Sequence, residues 1–160
     1  MKLMGTGSRS MVTHKDRVAI YNNLEQEIFR LADQHGDIVL ISGMAEGWDE
    51  AITKIGMRNE IPYICCLPNK GYGDYYWRRN SLLGVNRIET FNELCEKAND
   101  VVFVCDTLYV DGVHANFIRN QFMVDLCTHA LVYDKSSAGT RDAVKRLEAA
   151  GKPFKAYPFS

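Results

Sequence analysis

Ile38-Val39-Leu40-Ile41-Ser42-Gly43-Met44-Ala45-Glu46-Gly47-Trp48 is the stretch on which the fold turns. Four β-branched or leucine residues in a row, 38–41, suit a strand buried on both faces. The polar, glycine-bearing turn at 42–47 ends that strand, and Trp48, Ile52 and Ile55 then recur at helical spacing. A strand feeding a helix through a short glycine turn is the first half of a βαβ crossover.

The same grammar continues on both sides. Residues 2–5 read as a short strand that runs into Gly5-Thr6-Gly7-Ser8-Arg9. Thr13, with Asp16 three positions on, reads as an N-cap in a capping-box-like arrangement. Val18, Tyr21, Leu24, Ile28 and Leu31 then line one helix face up to about His35, and Gly36 is the stop. Further strands are expected at 61–67, 101–105, 130–133 and 154–157. Helices between them are carried by Ile88, Phe91, Leu94 and Ala98, by residues 117–127, and by Val144 and Leu147. Thr140 is the expected cap of the last helix and Gly151 its end. The Gly/Tyr/Asn-rich passage 70–80 has no periodicity and receives no assignment. The alternation predicts an α/β, Rossmann-like three-layer domain, with a mainly parallel sheet covered by helices on both faces. No internal repeat or linker-like segment interrupts it, so one domain over 1–160 is expected.

Composition narrows the function classes. Hydrophobic residues make up 46% and charged residues 24%, values of a folded chain rather than a disordered one. Nineteen basic against twenty acidic side chains leave a formal charge of -1. That balance argues against binding nucleic acid mainly by overall charge, though it permits a local basic patch. The five cysteines include no CxxC pair and are odd in number, so they read as reduced thiols. The longest apolar runs are strand-sized, so a cytoplasmic protein with no membrane partner is expected. The four histidines are dispersed and no G-x-S-x-G elbow occurs, so neither a metal site, a cofactor nor a serine hydrolase is expected.

Open α/β sheets collect ligands beyond the C-terminal ends of their strands. Four polar segments fall at such ends: 5–9, 42–47, 68–69 and 136–140. Gly139 and Thr140 at a helix start offer close backbone approach, unbonded amides and a hydroxyl to a phosphate. Gly5 and Gly7 open a similar turn, where Ser8 adds a hydroxyl and Arg9 a charged fork. The turn is neither a Walker A loop nor a complete GxGxxG. Ser42, Gly43 and Gly47 shape the second turn. Glu46, Asp49 and Glu50 place negative charge at its helix start, where they stabilise the helix, and Glu46 or Asp49 is also placed to accept from ribose hydroxyls. Tyr72, Tyr75, Tyr76 and Trp77, with Arg78 and Arg79, form an aromatic and basic segment. It suits a lid over a base or a subunit contact equally well, and the neutral overall charge gives a nucleic-acid patch less support.

With these segments in place, the chain resembles the SLOG superfamily, which includes DprA-like and YpsA-like proteins and the LOG phosphoribohydrolases. The resemblance covers most of the chain. It rests on residues 5–9, 42–49 and 120–125, and on the turn Ala138-Gly139-Thr140. It implies a Rossmann-like fold whose glycine turns, with Asn120, surround a nucleotide or nucleotide-derived ligand, ADP-ribose-like compounds included. Some members of the superfamily sense such ligands, DprA-like members act on single-stranded DNA, and LOG enzymes cleave the N-glycosidic bond of a nucleoside monophosphate. Against the LOG motif PGGxGTxxE, residues 135–142 keep the Gly-Thr pair but not the Pro-Gly-Gly start. Asp142 stands nearest the catalytic glutamate and Arg119 nearest the upstream catalytic arginine. The leading expectation is a nucleotide binder or sensor. The alternatives are a nucleoside-monophosphate N-glycosidase and a single-stranded DNA-binding or protein-interaction module. A homo-oligomer is the expected state.

Overall fold

A computed structural model describes residues 1–105 and 112–159. Six parallel strands form one sheet: β1 (Lys2–Gly7), β2 (Val39–Ser42), β3 (Tyr63–Leu67), β4 (Asp100–Phe103), β5 (His129–Tyr133) and β6 (Phe154–Ala156), in the order β4-β3-β2-β1-β5-β6. Five helices alternate with them: α1 (Arg17–His35), α2 (Trp48–Arg58), α3 (Ile88–Lys97), α4 (Gly112–Leu126) and α5 (Ala138–Ala149). A 3-10 turn, Arg9–Thr13, precedes α1, and a single π-helical turn, Asp74–Arg79, precedes α3. This is the α/β Rossmann-like architecture expected from the alternating pattern.

The continuous apolar strands have a direct structural cause. Neighbours in a strand point to opposite faces, so a sheet covered on both sides needs both members of each pair apolar. Leu3, Leu40 and Cys65 pack on one face with Leu24 and Ile28 of α1, Ile52 and Ile55 of α2, and Phe91 and Leu94 of α3. Their immediate neighbours Met4, Ile41 and Cys66 pack on the other face with Met123 and Val124 of α4 and Ala143 and Leu147 of α5. The three most buried cysteines, 65, 66 and 127, belong to these layers, and all five are free thiols.

Two helix starts differ from expectation. Thr13 closes the 3-10 turn rather than opening α1, which begins four residues later behind Asp16. Ser8 lies two residues before Ser10 and caps the 3-10 turn with its hydroxyl, which drew the helical start forward. Likewise Ser137, not Thr140, precedes α5, and Thr140 falls in its first turn. No helix among the described residues is long and apolar enough to cross a membrane.

Candidate functional site

Strand order decides where a ligand can enter. From β1 the chain steps outward through β2, β3 and β4, then returns to the opposite side of β1 as β5. The direction of winding therefore reverses between β1 and β5, and the turns leaving those two strands part to opposite faces. Gly7 lies beside Tyr133 in the register, so both strands end at the same level. A cleft of about 300 Å³ opens there.

Most of the expected ligand residues line this cleft. Gly5, Gly7, Ser8 and Arg9 come from the β1 turn, Asp49 from α2, Arg119 and Asn120 from α4, and Gly139 and Thr140 from α5. Gly7 is close-packed: a β-carbon there would sit 2.6 Å from the Trp48 side chain. Above Gly139 the space is open, with nothing within 4 Å of where a β-carbon would stand. Ser137 turns its hydroxyl to Thr140 Oγ1, 2.8 Å away, instead of capping a backbone amide. The first amides of α5 thus have neither an intrahelical acceptor nor a side-chain cap from Ser137, and Gly139 and Thr140 line the cleft. Asn120 fixes this start by donating to the Gly139 carbonyl (3.2 Å) and to Asp142 Oδ2 (3.1 Å).

The β1 turn contributes differently from its sequence reading. The Ser8 amide donates to the Tyr133 carbonyl and its hydroxyl caps the 3-10 turn, so both are engaged within the fold. Arg9 lies over the Tyr76 ring, 5.2 Å from its centre, and reaches the Asn80 carbonyl at 3.2 Å and Glu46 at 3.4 Å. It keeps one third of its side chain exposed at the cleft mouth.

Arg119 and Asp49 form the cleft's charged floor, at 7% and 6% exposure. The Arg119 guanidinium donates to the carbonyls of Gly43 and Cys66 and lies under the Tyr72 ring, 5.8 Å from its centre. Gly43 makes this seat possible, because a β-carbon would stand 2.6 Å from Arg119 Nη1. Asp49 Oδ2 accepts from the Ala45 amide at 3.3 Å. Burial pushes the Asp49 carboxyl up to about 6, against the pull of Arg119 and of the Ala45 and Gly43 amides. Its Oδ1 and the Nε of Arg119 are buried and have no hydrogen-bond partner among the described residues.

Other expected residues lie elsewhere. Ser42 is buried under α2, where its hydroxyl donates to the Asp49 carbonyl and accepts from Thr53. Gly47 immediately precedes α2, its amide bonded to Glu50 Oε1. Glu46 faces away from the cleft lining, towards Ser81 Oγ (2.6 Å), the Leu82 amide (2.9 Å) and Arg87 Nη1 (2.7 Å). Burial opposes its charge, but those bonds outweigh burial and hold the carboxyl below its usual range. Asp142 faces α4, accepting from Asn120 and from Arg146 at 2.8 Å, and does not line the cleft.

The aromatic segment is divided between interior and surface. Trp77 is fully buried, with its ring N–H on the Met44 carbonyl, and Arg78 and Arg79 both pair with Asp74. Tyr72 and Tyr76 form one cleft wall, while Tyr75 is exposed. Thr6, Ala45, Asn116, Met123 and Ser137 also line the cleft and carried no sequence signal of their own. Ser137 alone was within reach of one, as the polar residue before a helical pattern.

Neither a family model nor a curated protein matches the chain. Solved structures do. DNA processing protein A (DprA) from Streptococcus pneumoniae superimposes with a TM-score of 0.67 at 21% identity, over 99% of this chain and 50% of that one. DNA processing protein A from Helicobacter pylori, described for its single-stranded DNA binding mode, gives 0.67 at 15% identity, over 100% and 66%. The structural-genomics target TM1055 gives 0.62 at 13% identity, over 96% and 71%. The chain has the Rossmann-like fold of DprA. It spans half the length of the pneumococcal protein and 66% of the Helicobacter one.

Proposed function

We propose that the chain binds a nucleotide through its phosphate in the cleft between β1 and β5. The observation that carries this reading is the open start of α5. Its first amides have no side-chain cap, and Gly139 and Thr140 line the same cleft as Arg9. An anion there gains from the amides and from the positive end of the helix dipole together. Tyr72 and Tyr76 line the same cleft and are the aromatic rings that a base there would meet.

Single-stranded DNA is the polymeric form of such a ligand. The likeness to DNA processing protein A, one example of which is described with single-stranded DNA, favours it over a free mononucleotide. A strand would seat one phosphate at α5 and stack one base on the tyrosine wall. The formal charge of -1 supports a short contact rather than a long electrostatic track. The N-glycosidase alternative draws less support, because Asp142 does not line the cleft and its carboxylate is taken up by Arg146 and Asn120.

Gly139→Asp tests the phosphate seat. Open space at Gly139 admits the side chain, and a carboxylate in a first helical turn favours the helix while repelling an anion. Titrations of the wild type with labelled oligothymidylate and with mononucleotides should show saturable binding of at least one. The variant should weaken it by about tenfold or more. Unchanged affinity in a folded variant would refute the seat.

A further inference from the structure

A second hollow, of about 490 Å³, lies on the α1–α2 side of the sheet and shares no lining residue with the cleft. Buried Met11 and Ala51 and exposed Val18 and Leu83 give it an apolar lining. Val18 and Leu83 are 68% and 47% exposed, and Leu82 and Val85 on either side of Leu83 in the chain are exposed as well. Aliphatic side chains gathered around a hollow and rimmed by charge mark an interaction surface. The wall that carries Leu83 is fixed in place, because Ser81 and the Leu82 amide are tied to Glu46.

Charge decides what the hollow accepts. Among the described residues, Arg17, Lys54, Arg58 and Arg87 line it against one carboxylate, Glu50. Glu50 is taken up by Lys54 and Arg87, and Arg87 also pairs with Glu46. Arg17 and Arg58 meet no carboxylate there: Arg17 donates to the His14 carbonyl at 3.2 Å and Arg58 to the Tyr21 hydroxyl at 3.1 Å. The occupant must therefore bring aliphatic side chains and negative charge together. Nucleic acid brings the charge, but its bases seek aromatic faces. Tyr21, the one ring among the described lining residues, already lies under the Arg58 guanidinium, 5.6 Å from its centre. A protein segment with acidic residues beside leucine, isoleucine or valine supplies both. The lining extends from Gly47, just before α2, to Arg58, its last residue. That is about 16 Å, the length of three turns of a docked helix.

We infer that the hollow between α1 and α2 docks an acidic, amphipathic peptide segment of another protein. Val18 and Leu83 are its apolar contacts, and Arg17 and Arg58 are its charge partners. The site goes beyond the nucleotide cleft and does not depend on it. With no lining residue in common, the two can be filled at once.

The test is to pan the whole chain against a phage-displayed library of random peptides, each about twelve residues long to cover three helical turns. The enriched peptides should combine aspartate or glutamate with leucine, isoleucine or valine. Fluorescein-labelled synthetic copies then give affinities by anisotropy. Arg17→Glu reverses one charge partner at the first position of α1, where a carboxylate favours the helix and keeps the variant folded. Leu83→Ser removes an apolar contact from an exposed position. Each should weaken peptide binding by about tenfold or more, the first through charge and the second through lost burial. Both variants should bind oligothymidylate as the wild type does, since neither residue lines the cleft. A library that enriches no acidic peptide, or affinities unmoved in either folded variant, would overturn the inference. Loss of oligothymidylate binding in Arg17→Glu would make the hollow a nucleic-acid track instead. Sedimentation that finds a wild-type dimer and a Leu83→Ser monomer would give the hollow to a second copy of the chain. Either result would refute the acidic peptide and leave the phosphate seat at α5 to its own test.

Discussion

Asp49 couples the cleft to pH through its burial. Its carboxyl, ordinarily at 3.8, stands at about 6 in the folded chain because burial disfavours the charge. Between those values the folded state binds a proton that the unfolded state does not. Stability from this group is therefore highest at the acid end and declines as pH rises from 3.8 to about 6. The swing is roughly 3 kcal/mol. Urea unfolding across that window should show the wild type losing ground against Asp49→Asn as pH rises; parallel curves would contradict the burial of the charge. Gly43→Ala probes the neighbouring seat. Its methyl would displace the Arg119 guanidinium from the Gly43 and Cys66 carbonyls. Ligand affinity should fall about tenfold while unfolding free energy falls by only about 1–2 kcal/mol, read by titration and denaturant melts. Sequence alone named Gly43, Asp49 and Arg119, yet not their mutual contact. Arg119 lies 76 positions from Gly43, and no local spacing encodes a bond across two crossovers.

At the scale of elements, Glu46 acts as a clasp. It draws the segment after the π-helical turn onto the start of α2 through Ser81, Leu82 and Arg87, and Arg87 also engages Glu50. Glu46→Gln removes the charge opposite a largely buried arginine and should cost about 3 kcal/mol. Trypsin should then cut faster at Arg78 and Arg79, seen by time-resolved digestion with mass spectrometry. This arrangement was hidden in the sequence for a physical reason. A helix start enriched in acidic residues is stabilised by the dipole wherever it occurs, so Glu46 had a sufficient local explanation. The strands were legible because burial on both faces demands uninterrupted apolar runs. The π-helical turn was not, because six residues are too few to display a period. Thr13 and Thr140 misled in the same way: each is a good cap by type, but Ser8 and Ser137 stand earlier and took the turns.

For the whole molecule, the strand order sets the location of the cleft and the balanced charge sets how it is found. One reversal of winding, between β1 and β5, leaves a single place at the C-terminal rim where two departing turns can face each other. The sequence foretold that polar turns share this rim, since parallel strands all end on one side, but not which two turns meet. With a formal charge of -1, binding of a nucleic-acid strand should depend only gently on salt. A plot of log affinity against log salt should have a slope of about -1, as expected when one or two phosphates are neutralised. A slope several times steeper would point to a basic track outside the cleft. Trp48, packed under Gly7, and Trp77, bonded to the carbonyl next to Ala45, are the chain's two indoles. Both emitters are shielded from water and braced against the backbone that shapes the ligand chamber. The molecule thus carries its own optical reporter: occupancy should register as a change in ultraviolet emission, with no dye attached.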